Sequence, residues 1–197
     1  MGAIFLSASV PIAGRAPFDQ DCEPQMIQSA VSALATVALG RKIIVWGGHP
    51  AITPMLWASA QDLGVQYATA VRLFQTRFIP QEDFPEENKH FANVTYVEAV
   101  DNDRTKSLLA MRNAMLQSVD FDAAVFIGGM EGVNDEHALF SAIHPHARCI
   151  PIGVTGGAAR ILASKLNYAI PSDLGPLDFV GLLYRELDIS PIEQRHC

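Results

Sequence analysis

Residues 122–136 read Asp122-Ala-Ala-Val-Phe-Ile-Gly128-Gly129-Met130-Glu131-Gly132-Val133-Asn134-Asp135-Glu136. Ala123 to Ile127 is a short, wholly apolar run stopped by a glycine pair, the pattern of a strand buried on both faces. Beyond the glycines, apolar residues return at helical spacing, which predicts a helix over Asn134 to Ile143. A buried strand handing over through glycines to a helix is the repeating unit of a parallel α/β sheet.

The same alternation runs outward in both directions. Towards the N-terminus, strands are expected at Ala3 to Leu6, Lys42 to Trp46, Val71 to Phe74 and Val94 to Val97. Between them, helical periodicity covers Met26 to Ala38, Ile52 to Leu63 and Arg104 to Val119. Towards the C-terminus come a strand at Cys149 to Ile152, a helix at Ala158 to Leu166 and a closing helix over Gly175 to Leu187, with a frayed end at Cys197. Thr76 to Asn93 reads as an exposed acidic loop carrying one short helix. With no repeat or linker dividing the chain, the expectation is one Rossmann-like three-layer α/β domain over residues 1–197, its sheet mostly parallel.

Composition narrows the function. Apolar residues make up 49% and charged residues 18%, enough to fill a core and to exclude global disorder. A net charge of −7 argues against nucleic-acid binding, which calls for a basic face. A small anion is still compatible, because helix dipoles and one or two cations can hold a phosphate inside an acidic protein. The three cysteines, Cys22, Cys149 and Cys197, form no CxxC pair, so neither a disulfide framework nor a zinc site is expected and a reducing cytoplasm is the simplest home. No apolar run approaches the roughly 18 residues of a membrane span.

Candidate chemistry gathers where strands end. Ser7-Ala-Ser9, Gly47-Gly48-His49-Pro50, Gly128-Gly129-Met130-Glu131-Gly132 and Thr155-Gly156-Gly157 each follow a strand. In a parallel sheet these loops share one edge, the edge that binds ligands. Each pair alone could be punctuation between strand and helix. Three pairs at one edge point instead to a ligand site, with backbone N–H groups and helix starts facing an anion. Neither GxGxxG nor GxxxxGK[ST] is present, which excludes a standard dinucleotide fingerprint and a P-loop.

Two charges lie on faces that should be apolar. Arg112 stands four residues after Leu108 and three before Met115, and Glu136 stands three after Val133 and four before Phe140. A buried guanidinium must find a partner. Either the two form an internal ion pair, or Arg112 snorkels out, or Arg112 meets a phosphate while Glu131 and Glu136 hold ribose hydroxyls. Ser7 and Ser9 could donate to phosphate, Thr53 is a further ligand-binding candidate beside the Gly47-Gly48-His49 loop, and His49 could either touch a ligand or cap the second helix. His144 and His146, with His137 seven residues before His144, read as surface histidines in preference to metal ligands, and Cys149 as a small core residue.

The segment from Arg112-Asn-Ala-Met115 through Gly128-Gly129-Met-Glu131-Gly132 to Glu136 resembles the SLOG superfamily of Rossmann-like proteins. Ile4-Phe-Leu-Ser7-Ala-Ser9 with Gly47-Gly48-His49-Pro50-Ala51-Ile52-Thr53 is similar to the branch found beside TIR and Sir2 domains, including the sensor domain of the Thoeris antiphage effector. The resemblance implies a pocket for nucleotides or NAD-derived molecules, a cyclic ADP-ribose signal in the Thoeris-like case, together with self-association and a separately encoded TIR or effector partner. In LOG-type relatives an arginine and a glutamate, here Arg112 and Glu136, cleave the N-glycosidic bond of nucleoside 5′-monophosphates. The LOG motif PGGxGTxxE has proline where Ile127 stands and threonine where Val133 stands, lacks Glu131, and follows its arginine with lysine where this chain has Asn113. Those departures favour binding without catalysis; separately, no cofactor and no metal are expected. A phosphoribohydrolase is the alternative.

Overall fold

A computed structural model describes residues 2–196. Its order is β1 (Ala3–Ser9), α1 (Pro24–Ala38), β2 (Ile43–Trp46), α2 (Thr53–Leu63), β3 (Val71–Thr76), β4 (Asn93–Val97), α3 (Arg104–Leu116), β5 (Ala123–Gly128), α4 (Glu131–Ile143), β6 (Arg148–Ile152), α5 (Gly157–Lys165) and α6 (Phe179–Glu186). The six strands form one sheet in the order β4-β3-β2-β1-β5-β6. Every pairing is parallel, so the sheet is wholly parallel where the sequence predicts a mostly parallel one.

Strand alternation assigns the two faces. Ile4, Leu6, Ile44, Trp46, Leu73, Val125 and Ile127 pack against α1, α2 and α6. Phe5, Val45, Phe74, Ala124 and Phe126 pack against α3, α4 and α5. Helices therefore cover both faces, the three-layer Rossmann-like arrangement expected from the sequence. The strand order reverses between β1 and β5, whose registers bring Ser7 beside Phe126 and Ser9 beside Gly128. In open parallel sheets the crevice at the carboxyl ends of such a switch point is where ligands bind.

Several boundaries differ from those predicted. Helix α4 starts at Glu131, three residues before Asn134, directly out of the glycine turn. The closing helix is shorter than Gly175 to Leu187: it starts at Phe179, where the Asp178 carboxylate accepts the Gly181 N–H at 2.8 Å and caps it. Strand β3 runs on through Gln75 and Thr76. The acidic stretch that follows holds two 3-10 turns, Gln81–Asp83 and Glu86–His90, in place of one short helix. Its far end is anchored by Trp57 of α2, whose ring stacks on His90 at 4.6 Å and meets Phe91 edge-on at 5.8 Å.

At the other end of the sequence, residues after β6 return to α1. The guanidinium of Arg41 donates to Val37 O at 3.0 Å and to Glu193 O at 2.7 Å, and Arg195 donates to Thr36 O and Leu39 O. The last carbonyls of α1 are thereby capped by cations, where the helix dipole is negative. Cys197, the expected frayed end, lies outside the described residues. Among those residues no helix is long and apolar enough to cross a membrane.

Candidate functional site

The two misplaced charges meet. Arg112 of α3 directs its Nε to Glu136 Oε1 at 3.4 Å and its Nη1 to Asp135 Oδ2 at 3.1 Å, both on α4. The other oxygen of Glu136 accepts the Ser7 hydroxyl from β1 at 2.6 Å. Ser7 is 1% exposed. Three elements thus converge on one carboxylate on the α3/α4 side of the switch point, and the internal ion pair is the arrangement adopted. Burial pushes the Glu136 carboxyl above its ordinary range, while Ser7 and Arg112 oppose that rise without cancelling it. Gly132 gives the guanidinium its room, since a Cβ there would stand 3.0 Å from Arg112 Nη2.

The glycine loops of β5 and β6 interlock. Thr155, fully buried, accepts the Gly128 N–H on its hydroxyl at 2.8 Å and donates that hydroxyl to Ile152 O at 2.6 Å. Gly129 N–H donates to Ser9 O at 2.8 Å, and Gly129 O accepts the Ala158 N–H at 2.9 Å. A Cβ at Gly157 would lie 2.5 Å from Gly129 O, so only glycine lets the two turns cross. The N–H of Gly156 donates to Gly153 O at 3.1 Å. The amides of Gly128 and Gly129 are therefore spent in joining β5 to the β6 loop and to β1, and that of Gly156 in closing the turn after β6. Met130, extended, occupies the N-cap position of α4 and accepts the Val133 N–H at 3.0 Å.

The loop after β1 reaches over this edge. Arg15 pairs with Glu131 at 2.9 Å and Asp21 pairs with Arg160 at 3.1 Å. Asp21 O lies so close to Gly156 that a Cβ there would be 2.0 Å away. Glu131, expected beside Glu136 at a ribose, stands apart on the surface with Arg15. Its own backbone N–H and the Arg15 guanidinium hold its carboxyl below the usual range.

The β2 loop borders the crevice from the other side. His49 caps α2: its carbonyl accepts the Ile52 and Thr53 N–H groups at 2.9 and 3.1 Å, and its ring Nδ1 accepts the Ala51 N–H at 3.2 Å. Burial lowers its pKa, consistent with a neutral ring that accepts. Thr53 is fully buried at the start of α2, its hydroxyl 3.4 Å from His49 O. Gly47 faces Met111 and Met115 of α3, and Gly48 faces Leu73 and Gln75 of β3. Among the other histidines, His137 pairs with Ser141 at 3.2 Å and His144 bonds Leu116 O at 2.7 Å. Among the described residues no group of three or more His, Cys, Asp or Glu could hold a metal ion.

Ser7, Arg112 and Glu136 are thus brought together, and so are Ser9, Gly128, Gly129, Thr155, Gly156 and Gly157. Asp135 and Arg15 were missed by sequence reasoning. Asp135 gave a signal, a second carboxylate adjoining Glu136 on the turn that faces Arg112. Arg15 lies in an irregular loop with no periodicity to place it.

The family model described as the SLOG cluster3 family matches residues 17–187. No curated protein matches the chain. Among solved structures, the X-ray structure of TM1055, a structural genomics target, is similar at 13% identity with a TM-score of 0.53, covering 83% of this chain and 81% of that one. At that identity the likeness concerns the fold, and it agrees with a Rossmann-like α/β domain.

Proposed function

The chain belongs to the SLOG cluster3 family, and from that premise we propose that it binds a nucleotide-derived signal at the β1/β5 crevice without cleaving it. The observation carrying this reading is the state of Glu136. One of its oxygens takes the Ser7 hydroxyl and the other the Arg112 guanidinium, so the carboxylate is held as a structural acceptor. A general acid or base needs an oxygen within reach of the proton it moves.

The ligand is an adenine nucleotide derivative of the NAD-derived, cyclic ADP-ribose type. Arg112, on loosening from Asp135, supplies the charge for phosphate, and the helix starts at Met130 and Gly157 supply further donors. Ser9 and His49 flank the crevice, and Thr53 supports the His49 turn. A separately encoded TIR enzyme or effector in antiviral defence would make or read the signal, and the protein would act in the cytoplasm as a homo-oligomer.

One observation favours a second reading. The raised pKa of Glu136 suits a general acid, as a LOG-like phosphoribohydrolase would require, with Arg112 stabilising the leaving ribosyl group. Incubation with AMP, NAD, ADP-ribose and cyclic ADP-ribose isomers, followed by ultrafiltration and chromatography, separates the two. Intact nucleotide retained with the protein and recovered unchanged on denaturation is the expected result. Free base accumulating with time replaces the sensor by the hydrolase, and the absence of both retained ligand and free base rejects both.

A further inference from the structure

The carboxyl end of β3 opens into a cavity of about 380 Å³ roofed by the acidic stretch that follows it. Beside the exposed Gln81, two buried side-chain amides line it, Gln75 at 1% and Asn88 at 6% exposure. Among the described residues none bonds the oxygen or the nitrogen of either amide. Buried polar atoms are nearly always paired, so four orphaned ones on two residues that line the same cavity call for an explanation. Phe84, Pro85, Phe91 and Tyr96 supply apolar and aromatic walls. The one cation of the lining, Lys89, is engaged by Glu86 at 2.6 Å.

The roof is held in place. Asn88 N–H donates to Pro85 O at 3.0 Å, Phe91 N–H donates to Asn88 O at 3.3 Å, and Trp57 grips His90 and Phe91 from α2. The floor is shaped for Gln75 as well. A Cβ at Gly48 would stand 3.2 Å from Gln75 Nε2 and 2.8 Å from Leu73 Cδ1, so the glycine turn after β2 leaves space for the amide.

The lining selects its ligand by chemistry. An aliphatic molecule would leave the amides as they are. An anion would meet their carbonyls as well as their NH2 groups, and a cation would find no carboxylate among the lining residues. A planar ring with a donor beside an acceptor satisfies a carboxamide through two hydrogen bonds, as asparagine and glutamine do with adenine. Aromatic walls suit the faces of such a ring. The volume lies at the small end of ligand pockets, which run from roughly 300 to 1,000 Å³.

We propose that this cavity is a base-recognition site, taking a nucleobase or a like planar heterocycle edge-on to Gln75 and Asn88. Gln75 shares the α1/α2 face of the sheet with Leu73, whereas Ser7 shares the opposite face with Phe5, so the site is separate from the Glu136 cluster and does not depend on what that cluster binds.

Calorimetric titration with adenine, uracil and nicotinamide tests it, with indene as a ring of similar size that has no polar edge. At least one heterocycle is expected to bind, and indene about tenfold more weakly or not at all. Gln75→Met combined with Asn88→Leu is expected to weaken the heterocycle about tenfold or more. In the unaltered protein, the side-chain amide NMR signals of Gln75 and Asn88 should shift during the same titration, a readout that survives if the double variant does not fold. Absence of binding by all three heterocycles, equal binding by the double variant, or stationary amide signals would each overturn the proposal. Failure of nucleotides at the crevice alongside base binding here would sink the sensor reading and leave this site standing.

Discussion

The hydroxyl of Ser7, in the middle strand of the sheet, donates to Glu136 Oε2 at 2.6 Å from the first turns of α4. Through Arg112, the same carboxylate also reaches α3. A single side chain therefore reports on the alignment of three elements at the switch point. Its charge state should couple to both stability and ligand binding.

Glu136 has a folded-state pKa raised above the ordinary glutamate value of 4.5, with burial as the largest cause. The folded chain then binds this proton more tightly than the unfolded chain does. The group's contribution to stability is fully present below the unfolded pKa and is lost as pH rises through the folded one. Urea denaturation from pH 4 upward should show Glu136→Gln losing less stability with rising pH than the parent. Parallel curves would mean that Glu136 ionises as freely in the fold as in the unfolded chain.

Replacing Arg112 by alanine removes the only cation facing Glu136 within salt-bridge distance among the described residues. If Arg112 also carries phosphate, the nucleotide retained by the parent protein should bind about 2–3 kcal/mol more weakly. Calorimetry on a variant shown to be folded decides this. Unchanged affinity removes Arg112 from the ligand and leaves it a strut between α3 and α4.

Thr155→Val keeps the shape of the side chain and deletes its hydroxyl. The Gly128 N–H then loses its 2.8 Å acceptor in a fully buried place, at a cost of about 1–3 kcal/mol in chemical denaturation. Thr155→Ser retains the oxygen and should lose much less. A loss in Thr155→Ser as large as that in Thr155→Val would show that the methyl contacts, which serine lacks and valine keeps, count for as much as the hydrogen bond.

At Gly156, φ is 75° and a Cβ would come within 2.0 Å of the Asp21 carbonyl oxygen. Neither atom is a flexible side-chain end, so Gly156→Ala must push the β1–α1 loop off the sheet edge. Limited proteolysis should then cut within residues 11–22 at least several times faster than in the parent, while the rest of the domain stays resistant. An unaltered cutting rate would show that the edge tolerates the displacement.

The sheet was legible because its strands are unbroken apolar runs. Ala123 to Ile127 reads as buried on both faces, and it is. Helix α4 was placed too late because its start depends on the glycine turn beneath it. Met130 offers no side-chain cap, so nothing local marks the boundary. The meeting of Arg112 with Glu136 could be anticipated from two charges on apolar faces, but the share of Ser7 in it could not. That share follows from the register of β1 against β5, a relation between residues far apart in the chain. Gln75 was lost for a different reason. A polar residue ends an apolar run on paper, and no spacing rule announces a buried amide awaiting its partner.

The middle strand of the sheet is also the first to be synthesised. β1 is buried along its whole length, and its neighbours are β2, from residue 43, and β5, from residue 123. During synthesis one flank can be covered early, while the other stays bare until residues 123–128 have emerged. Closure of the switch point is thus a late event of high contact order, and the nascent chain must keep seven apolar or small residues out of trouble until then. Slower elongation after residue 128, or a chaperone that binds extended apolar segments, would act on this one strand more than on any other part of the fold.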